Sequence, residues 1–141
     1  MIDLNNWRNF IPELSQKEVE IPHFDRASLR ENGQKNPVGI HFGGGNLYRG
    51  FHAEIAQRLA DLGELSTGVI VCETFDEEII ERAYQNFDDL ILEVVMPSSG
   101  EFVKRILAAT ADSLYCHPDC SEHFDKMIPV SYTHLTLPTI A

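Results

Sequence analysis

The sequence predicts an α/β protein on a Rossmann-like parallel sheet that is incomplete, holding the N-terminal part of a dinucleotide-binding domain. Three observations carry that prediction. Apolar runs at 38–42, 67–73 and 90–96 alternate with segments whose apolar residues recur at helical spacing. Three consecutive glycines, Gly43 to Gly45, stand between the first run and the first of those helices. An acidic residue, Glu73, closes the second run.

Each element has its own reason. Residues 1–36 are polar and irregular, broken by Pro12 and Pro22, with a short helix expected around Leu4 to Phe10. They read as an extension packing on the domain. Val38 to Phe42 predicts a short buried strand after the turn at Lys35-Asn36-Pro37. From Asn46 onward Phe51, Ile55, Leu59 and Leu62 share one helical face, and Gly63 ends that helix. Thr67 to Glu73 is nearly all apolar, as a strand covered on both faces should be. Asp76 predicts a helix cap with Glu77 and Glu78 in the positive first turn, and Ile79, Ile80 and Ala83 on the buried side. Leu90 to Met96 reads as the third strand of the same sheet. Beyond Pro97 to Gly100, the run from Phe102 to Leu107 fits a helix or a returning strand equally well.

Composition narrows the class. The chain has 141 residues, 43% of them hydrophobic, and a net charge of -11. That predicts one soluble domain, and the acidic surface disfavours nucleic acid. No apolar run approaches the ~20 residues that span a bilayer, so no membrane partner is expected. The N-terminus lacks the basic-then-apolar build of a secretory leader, which predicts a cytoplasmic protein. Three cysteines in such a chain predict free thiols.

The glycine loop has a physical reading. Amides at a helix start are unpaired and carry partial positive charge, so they receive a phosphate wherever the backbone can approach it. Gly43, Gly44 and Gly45, with Asn46 and Leu47 in the turn that follows, are the candidate pyrophosphate cradle. Tyr48 stands where a third glycine often sits, and its ring is expected to point outward across the loop. Glu73 is the candidate acceptor for the adenosine ribose hydroxyls. With Asp76, Glu77 and Glu78 beside it, a 2′-phosphate would meet concentrated negative charge, so NAD is expected over NADP. The same loop and acid also fit an S-adenosylmethionine-dependent methyltransferase fragment.

Other groupings are weaker. Cys116, His117, Cys120 and His123 are zinc-ligand types, which leaves open a non-catalytic zinc- or nucleotide-binding module. Pro118 interrupts them and the spacing is not that of a common finger, so an ordinary polar loop is the better reading and no metal is expected. Cys72 reads as a buried thiol, His41 as a core histidine and His52 as a surface residue on the helix. No catalytic nucleophile arrangement stands out.

Pro22, Phe24, Asp25, Arg26 and Leu29, followed by Gly43, Gly45 and Arg49, resemble the pattern of the mannitol dehydrogenase family, the polyol-specific long-chain dehydrogenases and reductases. The resemblance covers roughly residues 20 to 115. It implies a Rossmann-like N-terminal domain and a largely helical C-terminal one. It also implies NAD-dependent hydride transfer between nicotinamide and a polyol or aldonate and its keto-sugar, such as mannitol or fructuronate. The family's catalytic lysine, assisted by Asn and His, would lie in the second domain, so no catalytic residue is expected here. Arg49 would clamp the pyrophosphate or brace the loop, with a salt bridge to a nearby carboxylate as the structural alternative.

Residues 130–141, VSYTHLTLPTIA, carry no Asp, Glu, Lys or Arg and resemble a translated adapter of transposon-based sequencing libraries. The expected organisation is therefore an extension over 1–36, a truncated NAD-binding domain over 37–129 and a non-native tail. A chain cut there leaves the first strand with an open edge and an apolar flank, and NAD binding by it alone is expected to be weak.

Overall fold

The computed structural model describes residues 2–98, 100–120, 123 and 125. The expected tail at 130–141 lies outside them. The fold is α/β, with its strands divided between two three-stranded sheets.

The first sheet is parallel. β2 (Ile40–Phe42) lies beside β3 (Val69–Glu73), which lies beside β6 (Thr110–Tyr115). Phe42 is level with Cys72, and Glu73 is level with Tyr115, so all three strands finish at one edge of the sheet. The ladder runs on past the strands: the Gly43 amide donates to the Cys72 carbonyl and the Cys116 amide to the Glu73 carbonyl, both at 2.7 Å. β2 is an edge strand, which is why Val38 and Phe42 are exposed and the strand is only half-buried.

The second sheet corrects the assignment of 90–96. β4 (Ile91–Val95) is not the third parallel strand. It pairs antiparallel with β5 (Val103–Leu107), which pairs parallel with the short β1 (Val19–Glu20). The ambiguous stretch after Gly100 is therefore the returning strand of a hairpin, and β6 takes the place in the parallel sheet. Apolar content alone misleads here, because β4 carries the apolar run while β6, Thr-Ala-Asp-Ser-Leu-Tyr, is the strand that joins the parallel sheet.

The N-terminal 36 residues are more ordered than their polarity suggests. A 3₁₀ turn (Leu4–Phe10) leads into α1 (Ile11–Gln16), and α2 spans Arg26–Lys35. Asp25 caps α2, accepting from the Ala27 and Ser28 amides at 3.0 and 3.3 Å and from the Ser28 hydroxyl at 2.7 Å. Trp7 and Leu14 enter a core cluster with Leu90, Ile106 and Ala108. α2 lies close on β6, where a Cβ at Gly33 would come within 2.6 Å of the Ala111 Cβ.

α3 (Ala53–Asp61) follows a π-helical turn (Tyr48–His52), and α4 (Glu77–Ala83) is capped by Asp76 through the Ile79 amide at 3.2 Å. On α3 the predicted apolar face exists but is turned to solvent. Phe51, Ile55, Leu59 and Leu62 are exposed, and the small face of Ala53, Ala56, Gln57 and Ala60 is buried. Small residues let the helix sit close to the strands beneath it, and the large ones are left toward solvent.

Candidate functional site

The end of β2, the end of β3 and the start of the helical segment meet at the edge where the parallel strands terminate. Gly43 has φ +101°, a left-handed conformation that suits glycine. A Cβ at Gly44 would stand 3.2 Å from the Tyr84 ring, whereas one at Gly45 would meet open space. The loop thus turns tightly against α4 and leaves its outer side bare. The amides of Gly45 and Asn46 have no acceptor among the described residues, in keeping with their place ahead of a helical turn.

Glu73 points at this loop. Its Oε2 accepts from the Gly44 amide at 2.9 Å, and its Oε1 from the Thr74 and Phe75 amides at 2.8 and 3.2 Å. Burial pushes its pKa up, but the amides of Gly44, Thr74, Phe75 and Asp76 outweigh that and hold it below the ordinary glutamate value. The carboxylate is therefore a fixed anion with lone pairs left to accept hydroxyls.

Two tyrosines that sequence reasoning misplaced or missed brace the loop. Tyr48 does not point outward: only 1% of it is exposed, and its hydroxyl meets the Thr110 hydroxyl at 3.0 Å. A ring this large is stabilised more by the core cluster than by solvent, and Thr110 satisfies its polar end. Burial raises its pKa to about 12. Tyr84, also buried, donates to the Gly44 carbonyl at 2.7 Å. No local signal in the sequence marks it, since it lies forty residues from its partner.

Arg49 donates to the Asn46 side-chain oxygen at 2.8 Å, and its buried Nε has no acceptor. Among the described residues no carboxylate lies within ion-pair distance of it, so the salt-bridge alternative is not seen. Leu47 is exposed on the same turn. His41 and His52 lie closer than their separate readings implied, with ring centroids 4.5 Å apart. Burial, with the His52 ring beside it, pushes the His41 pKa down. Left-handed Gly43, open Gly45, bare amides, the unpartnered Arg49 Nε and the anchored Glu73 together fit the diphosphate and ribose of a dinucleotide.

The remaining motif residues are structural. Arg26 donates to Asp88 Oδ2 at 2.8 Å and to the Asp88 carbonyl, and Arg30 pairs with Asp88 and, at 2.9 Å, with Asp89. Asp88 and Asp89 both have positive φ, so these ion pairs hold a strained turn against α2. In the Cys116–His123 stretch, Cys116 is buried beside Cys72, and burial raises both thiols. His117 meets Asp119 instead, at 3.3 Å, and no group of three or more His, Cys, Asp or Glu among the described residues is placed to hold a metal ion.

No family model matches the chain. Over 104 residues, 72% of this chain, it is 39% identical to a D-mannonate oxidoreductase of Thermotoga maritima. Its fold is similar to that of D-sorbitol dehydrogenase in a substrate-free crystal form, with TM-score 0.59 and 22% identity over 74% of the chain. It is also similar to a Pseudomonas fluorescens mannitol 2-dehydrogenase held with NAD and D-mannitol, with TM-score 0.62 and 20% identity over 79% of the chain. The chain spans 19% of the first of these proteins, 21% of the second and 22% of the third. Sequence and fold together support one family.

Proposed function

We propose that this chain, which those comparisons ally to the mannitol dehydrogenase family, is the adenosine-diphosphate-holding part of an NAD-dependent oxidoreductase. The whole enzyme would move a hydride between nicotinamide and a secondary alcohol of an open-chain polyol or sugar acid. Residues 37–129 would form the nucleotide domain, with 1–36 packed on it. One observation supports the reading: the Glu73 carboxylate is tied to the Gly44 amide at 2.9 Å, so the acid that would accept the ribose lies beside the loop that would cradle the phosphates.

The nicotinamide, when bound, supplies the hydride acceptor. This chain's residues bind and orient. The amides of Gly45 and Asn46 would face the pyrophosphate, with Gly43 and Gly44 shaping the turn and the Arg49 guanidinium adding a charged donor. Glu73 would accept both ribose hydroxyls, and a 2′-phosphate there would be repelled by it and by Asp76, Glu77 and Glu78, so NAD is preferred over NADP. A relative named for D-mannonate and a structural neighbour holding D-mannitol support six-carbon, open-chain substrates.

Titration of the isotope-labelled chain tests this. NAD and ADP-ribose should shift the amides at 43–47 with a Kd near ~1 mM, a weak affinity of about 4 kcal/mol, while NADP and nicotinamide mononucleotide shift them far less. No shift with NAD up to ~10 mM would sink the reading.

A further inference from the structure

We infer that the groove between the N-terminal helical turns and the hairpin sheet docks an acidic amphipathic helix of a partner protein. The helix lays an apolar row on the sheet and sets its carboxylates on a rim of cations. This goes beyond the nucleotide reading, and neither the glycine loop nor Glu73 lines the groove.

The floor follows from strand geometry. Alternate residues of a strand share a face, and the register puts Leu92 beside Ile106 and Val94 beside Lys104 and Val19. Trp7 and Leu14 cover Leu90, Ile106 and Ala108 at one end of this sheet face. Leu92 and Val94 stay open, 54% and 51% exposed. Leu4 and Leu14, with Ala83 and Phe87, line the groove from helical elements, so an open space of about 1010 Å³ has helical sides and a sheet floor. A helix is the element that covers a bare sheet face.

The charges say what kind of helix. The chain carries 22 Asp and Glu against 11 Lys and Arg, and most of its cations are already paired. Arg26, Arg30, Lys35, Arg58, Arg82 and Arg105 each meet a carboxylate. Among the described residues Arg8, Lys17, Arg49 and Lys104 are in no ion pair, and the last three line this groove. Arg8 lies over the Trp7 ring instead. Arg82 adds a fourth cation to the lining, held only by an exposed pair with Glu78, which is worth little. Asp3, the acid among the lining residues, is turned to its own helical turn, accepting from the Asn5 amide at 3.0 Å and the Asn6 side chain at 2.9 Å. A cationic rim on an acidic protein selects carboxylates flanking an apolar row.

The placement of Lys104 favours a helix over an added strand. β5 is the central strand of this sheet, so Lys104 stands on its face, with its Nζ fixed by the Lys17 carbonyl at 2.7 Å. A helix laid on the face reaches that ammonium, whereas a strand added at the β4 edge does not.

The test uses the full chain at a concentration where it sediments as a monomer. The probe is a synthetic helix of about 18 residues with leucines at i, i+3, i+4 and i+7 between glutamates. It should shift the amides of Leu14, Lys17, Leu92 and Lys104, and bind more weakly as salt is raised. Lys17→Glu should weaken binding ~5-fold and Leu92→Asp ~10-fold, with ADP-ribose shifts at the glycine loop unmoved by either. Both side chains are exposed, so circular dichroism should match the parent; Lys17→Gln gives a milder second reading of the same charge. Equal binding of a peptide with lysines in place of the glutamates would overturn the inference, as would no binding of the acidic one. It also fails if dodecanoate alone gives the same shifts, or if an extended acidic peptide binds instead along the β4 edge. Self-association that Lys17→Glu and Leu92→Asp abolish, with no response to the acidic peptide, would make the occupant a second copy and sink it too.

Discussion

In the parallel sheet β3 buries its apolar residues and keeps its acid at the strand end, whereas in the hairpin sheet β4 buries an acid and exposes apolar neighbours. Val71 and Cys72 of β3 are fully buried, and only Glu73, at the terminus, is polar. On β4, Glu93 is buried and bonded to Arg105 at 3.1 Å, while Leu92, Val94 and Val95 are exposed. Arg105 also joins Glu20 and Glu54, so an ionic cluster ties the hairpin to β1 and α3. The contrast teaches that apolar content does not say which side of a strand is inside. A charged residue such as Glu93 can be the buried one when it has a partner, leaving apolar neighbours on the exposed side.

The largest test of this contrast is Gly33→Ala. Its Cβ would lie 2.6 Å from the Ala111 Cβ and 2.7 Å from the Gly68 carbonyl, so α2 must lift from the parallel sheet. Urea unfolding should show a loss of about 3 kcal/mol. One substitution in each sheet sharpens the point. Val71→Ala should cost about 2 kcal/mol, and Val94→Ala less than about 0.5, because only the first side chain is buried. Equal losses would mean that the outer face of β4 is covered in solution. Tyr84→Phe comes next, at about 1 kcal/mol, by removing the donor to the Gly44 carbonyl. It should also broaden the amide resonances of the glycine loop.

The smallest effect is the pH dependence from Glu73. Its carboxylate titrates below the ordinary value of 4.5 in the folded chain, so its stabilising contribution is complete above that pH. It is lost as pH falls through the lowered folded-state value. Glu73→Gln should flatten that part of a urea-midpoint profile between pH 7 and 3 by under about 1 kcal/mol, since the group is partly exposed. An unchanged profile would show that the amides of Gly44, Thr74 and Phe75 do not hold the anion in solution.

The exposed rows predict association as well. Phe51, Ile55, Leu59 and Leu62 on α3, with Leu92 and Val94 on β4, lie open beside an edge strand. Sedimentation should show concentration-dependent self-association, reduced by Leu59→Lys with Val94→Lys and with no loss of folded stability.

Much of the candidate site is legible in the sequence because its signals are local. A glycine permits a positive φ at 43, and Asp76 reaches an amide three residues on. An acid at the end of an apolar run then stands where the strand stops, as Glu73 does. The partners of those residues are not local. Tyr84 reaches Gly44 across forty residues, and Thr110 meets Tyr48 across sixty-two. The α2 arginines, likewise, find Asp88 and Asp89 only through the fold.

The sequence by itself determined where this chain turns, caps and leaves backbone bare, because those depend on one residue's own conformational freedom and its immediate neighbours. Only the tertiary structure decided that β6 rather than β4 joins β3, that Tyr48 turns inward and that the large face of α3 turns out. A hydrophobic period states that one side differs from the other. Which side is buried depends on what else in the chain arrives to cover it.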